Sequence, residues 1–327
     1  MSRAWRVHQY GEPEAVLRFE QTPDPIPGPG QIRVRVAATS CNFADVLLCR
    51  GGYQQKPTPP FTPGLEVCGQ VDDLGSEVDI GLLTARVVGQ PVLPYGGFAE
   101  TALMDAQAVH VVPSNIDDVT AATLHLTYLT AWLGLHRRGS ITAGDVVVVT
   151  AAAGGVGSAA VQIAHAAGAT VIGIVSGTDK AAAALALGAD VVIDRSHQDV
   201  IESVKSVAPQ GADVVFDSVG GIAYNQATKY IAFEGRIVVV GFASSDIPKA
   251  QLNHALVKNY TIAGLHWSLY SKYRPDLVRS AQSAIFDMTS DGLIKPLIGR
   301  RAGLDEVPAA LGELADGRTQ GKTVITA

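Results

Sequence analysis

Two rhythms of apolar and polar positions divide the chain. Up to residue 122 the apolar runs are short and interrupted, as in "MSRAWRVHQYGEPEAVLRFE", "IRVRVAATS", "EVCGQVDDLG" and "ARVVGQPVL". Alternation with a period of two predicts half-buried strands, the first stretch reading as a hairpin. The segments "QTPDPIPGPGQ" and "KPTPPFTPG" predict turns and loops around one compact β-rich domain. From Val146 the rhythm changes. Six runs, "VVVVT", "TVIGIV", "DVVID", "DVVFDSV", "GRIVVVG" and "YTIAGL", alternate with helical stretches. Near-continuous Val and Ile mark strands buried on both faces, as parallel strands between helix layers must be. Six strands with five crossovers predict a doubly wound sheet over residues 123–265, so the fold class is α/β. The tail, 266–327, contains a helical stretch and a last strand, "KTVITA". It is too short for a third domain and is expected to return to complete the first.

Composition narrows the class. Of the 327 residues 47% are hydrophobic and 17% charged, with 34 glycines, which suits a soluble α/β protein with many tight turns. The net charge of −6 is spread along the chain, so no basic block suggests a nucleic-acid or lipid surface. The first 20 residues hold no apolar core of a signal peptide, and no apolar run suggests a membrane span. Cys41, Cys49 and Cys68 lack CxxC spacing. They read as small buried hydrophobes in a cytoplasmic protein.

Between "VVVVT" and an Ala-rich helical stretch lies Ala152-x-Gly154-x-x-Gly157, the dinucleotide fingerprint with Ala at its first position. Ala serves there if its φ stays negative. Gly154 lets the backbone approach a pyrophosphate, and Gly157 lets helix and strand pack closely. The amides of Gly155, Val156 and Gly157 then face the phosphates from the helix N-terminus. At the end of the second strand, where NAD-binding sheets place a carboxylate, the chain has Ser176, with Lys180 one turn on. A hydroxyl and a cation suit a 2′-phosphate, so NADPH is expected; Asp179 is expected to face solvent.

The segments "CNFADVLLCRGGY", "TPGLEVCGQV", "GGFAE", "TYLTAW", "AAAGGVG", "VFDSVGG" and "RTQGKTVI" together resemble the medium-chain dehydrogenase/reductase superfamily over essentially the whole length. The chain looks most similar to its zinc-free quinone oxidoreductase branch, which includes zeta-crystallin. The resemblance implies a GroES-like β-domain rejoined by the tail, a Rossmann domain, and an active cleft between them. It also implies a homodimer formed through the last Rossmann strand, "YTIAGL". Zinc-dependent members carry a Cys where this chain has Asn42, and a G-H-E motif where it has Gly64, Leu65 and Glu66. Asn and Leu cannot supply a thiolate and an imidazole, so no catalytic zinc is expected.

By the same resemblance Asn42 falls beside the nicotinamide, where its amide binds ribose or substrate oxygen or else braces the loop. Tyr53 falls where related enoyl reductases carry a tyrosine that orients substrate or delivers a proton; the alternative is a packing aromatic. Asp45 reads as a loop brace. Thr130, more weakly Thr127, Gly241, Phe242, Arg195 and Arg318 fall at cofactor-lining positions.

Without a metal, electron-poor acceptors remain reducible if the oxygen gaining charge meets hydrogen-bond donors. The leading expectation is therefore an NADPH-dependent reductase of quinones or similar electrophiles. A 2-enoyl reductase acting on enones or enoyl thioesters is the alternative enzyme. A non-catalytic, NADPH-binding, crystallin-like protein is the alternative of another class.

Overall fold

The computed structural model describes residues 1–326. It divides into two compact units: Met1–Leu126 with Gln282–Phe286 and Ile298–Ala327, and Thr127–Ala281 with Asp287–Leu297.

The first unit is β-rich. Ser2–Val7 and Leu17–Thr22 pair antiparallel as the hairpin that the opening alternation predicts. Gln31–Ser40 is the spine of a seven-stranded sheet. It pairs on one flank with Val67–Leu74, and over its first half also with Thr101–Asp105. Its burial pattern alternates until residue 37 and then closes, so its last residues are enclosed on both faces. The final strand, Lys322–Thr326, lies antiparallel along that closed end, with Val324 opposite Ser40 and Ile325 opposite Thr39.

Within 266–327 the last strand joins the sheet of the first unit. Residues 266–281 and 287–297 cluster with the second unit. One cause is a side chain: Gln162 accepts the Lys295 amide at 2.6 Å and so holds that stretch locally.

In the second unit we number the sheet strands β1 (Val146–Thr150), β2 (Thr170–Val175), β3 (Val191–Asp194), β4 (Ala212–Asp217), β5 (Ile231–Val239) and β6 (Thr261–Gly264). All six are parallel, in the order β3-β2-β1-β4-β5-β6, so the strand order reverses at β1. The central strands are sealed between helix layers, with Val147, Val148, Val149, Val214, Val215 and Phe216 all fully buried. This is why they read as unbroken apolar runs. All C-terminal strand ends lie on one edge, where open α/β sheets bind their ligands. β6 closes the other side of the sheet as an edge strand, its Gly264 carbonyl accepting from Arg138 Nε at 3.0 Å.

Candidate functional site

The turn after β1 is built from backbone. Ala151 adopts φ +49°. A left-handed non-glycine residue costs about 1–2 kcal/mol. Ala152, at the first fingerprint position, stays out of that region, so alanine is tolerated there as expected. Gly157 has no room for a side chain, because a Cβ would sit 2.1 Å from the Ala151 carbonyl oxygen. Gly154 caps the helix Gly155–Ala166, whose first bonded amide, that of Ser158, returns to Gly154 at 2.8 Å. The amides of Gly155, Val156 and Gly157 therefore have no carbonyl within the helix to receive them. A twelve-residue helix with three such amides behind a glycine turn fits a dinucleotide pyrophosphate.

Loops after β1, β4 and β5 are laced together beside that turn. Asp217, buried at the end of β4, accepts from Thr150 Oγ1 at 3.0 Å and from the Val219 amide at 3.0 Å. Burial pushes its carboxyl above the ordinary range, and the hydrogen bonds partly offset this. The Ala243 and Ser244 amides donate back to the Ser218 and Val219 carbonyls at 3.1 and 3.0 Å. This places Gly241 and the partly exposed Phe242 beside the β4 loop. Gly220, at φ +71°, makes the approach feasible: a Cβ there would meet the Phe242 ring at 2.8 Å.

Ser176 and Arg195 follow the adjoining ends of β2 and β3. Val175 and Asp194 are register partners, and the Arg195 amide donates to the Val175 carbonyl at 3.0 Å. Ser176 is half-buried, Lys180 lies in the first turn of the helix Thr178–Ala186, and Arg195 and Asp179 are exposed. The pattern at β2 shows no carboxylate here, yet the structure has one, supplied by the neighbouring strand. Asp194 Oδ1 accepts from the Gly177 amide at 3.0 Å and from the Ser196 hydroxyl at 2.5 Å. The Ser196 hydroxyl, and then the Gly177 and Ser196 amides, hold its carboxyl down at about 2.

The first unit has its own polar centre. Glu66, fully buried, accepts from the Ser40 hydroxyl at 2.5 Å and from the His125 and Leu126 amides at 2.8 and 2.7 Å. Lys322 Nζ lies 3.3 Å from Glu66 and donates to Asn42 Oδ1 at 2.5 Å. The Asn42 amide nitrogen donates to the Ser40 carbonyl at 3.0 Å, so its side chain is engaged at both ends. Asp45 accepts from the amides of Asn42, Gly64 and Leu65 at 2.9–3.0 Å, the loop brace the sequence suggests. Burial raises its carboxyl to about 7 against the pull of those amides. Burial likewise lowers His125 to about 4, with its Nδ1 3.0 Å from Gln282 Oε1. All three cysteines are free and buried.

Tyr53, in the loop after the helix Phe43–Cys49, packs its half-buried ring against the apolar core of the first unit. Burial, then the Asp45 charge, raise its phenol above the ordinary value. Thr127 and Thr130 lie three apart on the helix Leu126–Trp132, both buried. Arg318 is exposed and paired with Asp316 at 2.8 Å. Sequence patterns mark neither Lys322 nor Asp194, and Glu66 only as the third residue of the altered G-H-E motif. The visible signal was a lone Lys opening an apolar strand and an Asp ending another.

A catalytic zinc does not fit here. Leu65 has no ligand atom, Asn42 is engaged at both ends, and Glu66 is filled by five donors. Among the described residues no three His, Cys, Asp or Glu side chains converge on a metal position. Elemental analysis of purified protein is expected to find no stoichiometric zinc, and turnover to survive exhaustive chelation. One tightly held zinc per chain whose removal abolishes turnover would overturn this.

Comparison with known proteins follows the two units. The profile of the alcohol dehydrogenase GroES-like domain matches residues 28–114, and that of the zinc-binding dehydrogenase family matches residues 155–283. The chain is 38% identical to a quinone oxidoreductase-like protein 2 homolog of Nematostella vectensis, covering 91% of this chain and 82% of the relative. It is 33% identical to mouse prostaglandin reductase-3, covering 95% and 85%. Among solved structures, Escherichia coli quinone oxidoreductase complexed with NADPH superposes with a TM-score of 0.93 at 28% identity, covering 100% of both chains.

Proposed function

Because the chain belongs to the quinone oxidoreductase-like family of the medium-chain dehydrogenase/reductase superfamily, we propose that it is an NADPH-dependent, zinc-free reductase of quinones or similar electrophiles. The observation that carries the reading is the glycine turn after β1, flanked by strand ends bearing Ser176, Lys180 and Arg195. The Gly155, Val156 and Gly157 amides would hold the pyrophosphate, and Lys180 and Arg195 the 2′-phosphate, as the NADPH complex of the Escherichia coli relative supports. Bound there, NADPH supplies hydride. The chain's residues orient it and meet the oxygen that gains charge. The likeness to quinone oxidoreductases supports Gly241 and Phe242 after β5, and Thr127 and Thr130 on the buried helix, as further residues toward the cofactor. Asn42 anchors Lys322, and the Tyr53 phenol is the donor to substrate.

A second acceptor class has an observation in its favour, the likeness to mouse prostaglandin reductase-3. A panel of NADPH oxidation with quinones, enones and enoyl thioesters separates the readings. Quinones are expected to give the highest kcat/KM. An enone or enoyl thioester ahead by tenfold would give the site to the enoyl reductase reading. NADPH bound but oxidised by no acceptor would leave only a nucleotide-binding protein.

We also propose a homodimer through β6. An edge strand is open to pairing, and the preceding helix Leu252–Lys258 leaves Leu252, Leu256 and Val257 at 75%, 78% and 77% exposure. Sedimentation at micromolar concentration is expected to give the mass of two chains. A monomer throughout that range overturns the proposal.

A further inference from the structure

The carboxylate at the end of β3 stands where the reading of a 2′-phosphate site calls for cations. We propose that Asp194 is the residue that limits the preference for NADPH over NADH. It fixes the turn at Ser176 and Gly177 and keeps a permanent negative charge beside the ribose 2′ position. This inference rests on the dinucleotide reading above.

Three observations support it. Asp194 is the register partner of Val175, the residue before Ser176, so its carboxylate lies at the end of β2 although it belongs to β3. Its Oδ1 gathers the Gly177 amide, the Ser196 amide and the Ser196 hydroxyl at 3.0, 3.0 and 2.5 Å. Its Oδ2 is enclosed and receives no hydrogen bond from the protein. The carboxylate is thus clamped through one oxygen, with the other kept out of bulk water. Such a charge is a fixed source of field and cannot swing away as a surface side chain does.

The two roles separate chemically. Gly177, at φ +95°, needs an acceptor for its amide, and a neutral amide oxygen at the same place would serve. The charge is therefore not required by the turn. Its effect falls on the ligand. A 2′-phosphate brings between one and two negative charges, and Lys180 and Arg195 answer them; Asp194 cancels part of that answer. A ribose 2′-hydroxyl carries no charge and is nearly indifferent to it. The expected wild type therefore binds both cofactors, with NADPH ahead by a modest ratio.

Asp194→Asn tests this, read by equilibrium titration of nicotinamide fluorescence with NADPH and NADH separately. The Kd for NADPH is expected to fall by roughly tenfold, from the removal of one nearby like charge, and that for NADH to change less than about twofold. Asp194→Ala, which also removes the acceptor for Gly177, should weaken both cofactors together. Asp194→Ser, neutral and still able to accept from Gly177, repeats the measurement if the Asn variant does not fold. A ratio of the two Kd values that stays within twofold of wild type in the neutral variants overturns the proposal, as does a shift toward NADH. If wild-type protein binds neither nucleotide, the dinucleotide reading itself falls. If it binds both and the ratio does not move, only Asp194's role falls.

Discussion

Lys322→Met should lower the unfolding free energy by about 3–5 kcal/mol, the usual cost of stranding one member of a buried ion pair. Both partners are enclosed: Lys322 is 3% exposed and Glu66 0%. The lysine answers a carboxylate and also anchors the Asn42 carbonyl at 2.5 Å. Without it, Glu66 keeps the Ser40 hydroxyl and the His125 and Leu126 amides but loses the counter-charge that Lys322 supplies. Asn42 loses its donor as well. Glu66→Gln alone should also destabilise, because its new amide hydrogens would face the ammonium. In the double variant the Gln amide can donate toward Asn42, and neither charge remains. Its loss should therefore be smaller than the sum of the singles by more than about 1.5 kcal/mol, as expected for contacting members of one network. Chemical denaturation of the four proteins measures the cycle. Strict additivity, or a loss below about 1 kcal/mol for Lys322→Met, would show that the pair is not the keystone of this centre.

That centre was hardly legible in the sequence, whereas the six-stranded sheet was. Central parallel strands enclosed by helix layers are apolar along most of their length, so the runs in β1, β2 and β4 announce themselves with no tertiary information. The glycine turn was legible for a related reason. Gly157 is required by a clash of 2.1 Å with a backbone oxygen six residues earlier, and so local a constraint leaves a local signature. The left-handed residue, however, is Ala151, and nothing in its side chain announces that.

Lys322 and Asp194 were hidden because their meaning lies across strand pairs. A lysine opening an apolar strand ordinarily reads as a solvated end. It is enclosed because the last strand lies between Gln31–Ser40 and Ile298–Gly303, with Lys322 itself opposite Ile298. Asp194 belongs to β3 by sequence and to the end of β2 by position. A rule that inspects the end of β2 alone therefore finds Ser176 and no carboxylate. Asn42 is legible only through family resemblance, and in the structure its side chain is engaged at both ends.

Tyr53→Phe should leave quinone turnover within about tenfold of wild type, a loss consistent with one modest hydrogen bond. The ring packs on the apolar core of the first unit, and phenylalanine keeps that packing, so the change removes only the hydroxyl. Burial, reinforced by the Asp45 charge, holds the phenol protonated at neutral pH, which makes it a donor and not a base. What a donor contributes depends on the acceptor. Reduction of an enone places hydride on the β-carbon and leaves a basic enolate that must be protonated. A positioned acid there is worth roughly 100- to 10,000-fold. Reduction of a quinone spreads the new charge over a ring and two oxygens, giving a weakly basic anion that water protonates later. If the natural acceptor is an enone or enoyl thioester, the same variant should lose about 100-fold or more in kcat with that substrate, with NADPH affinity unchanged. Titration of NADPH and a circular dichroism spectrum on the variant secure fold and cofactor binding. With both intact, a fall of 100-fold with quinones would contradict the roles assigned here. It would make the phenol an obligatory acid in a reaction whose product should not need one.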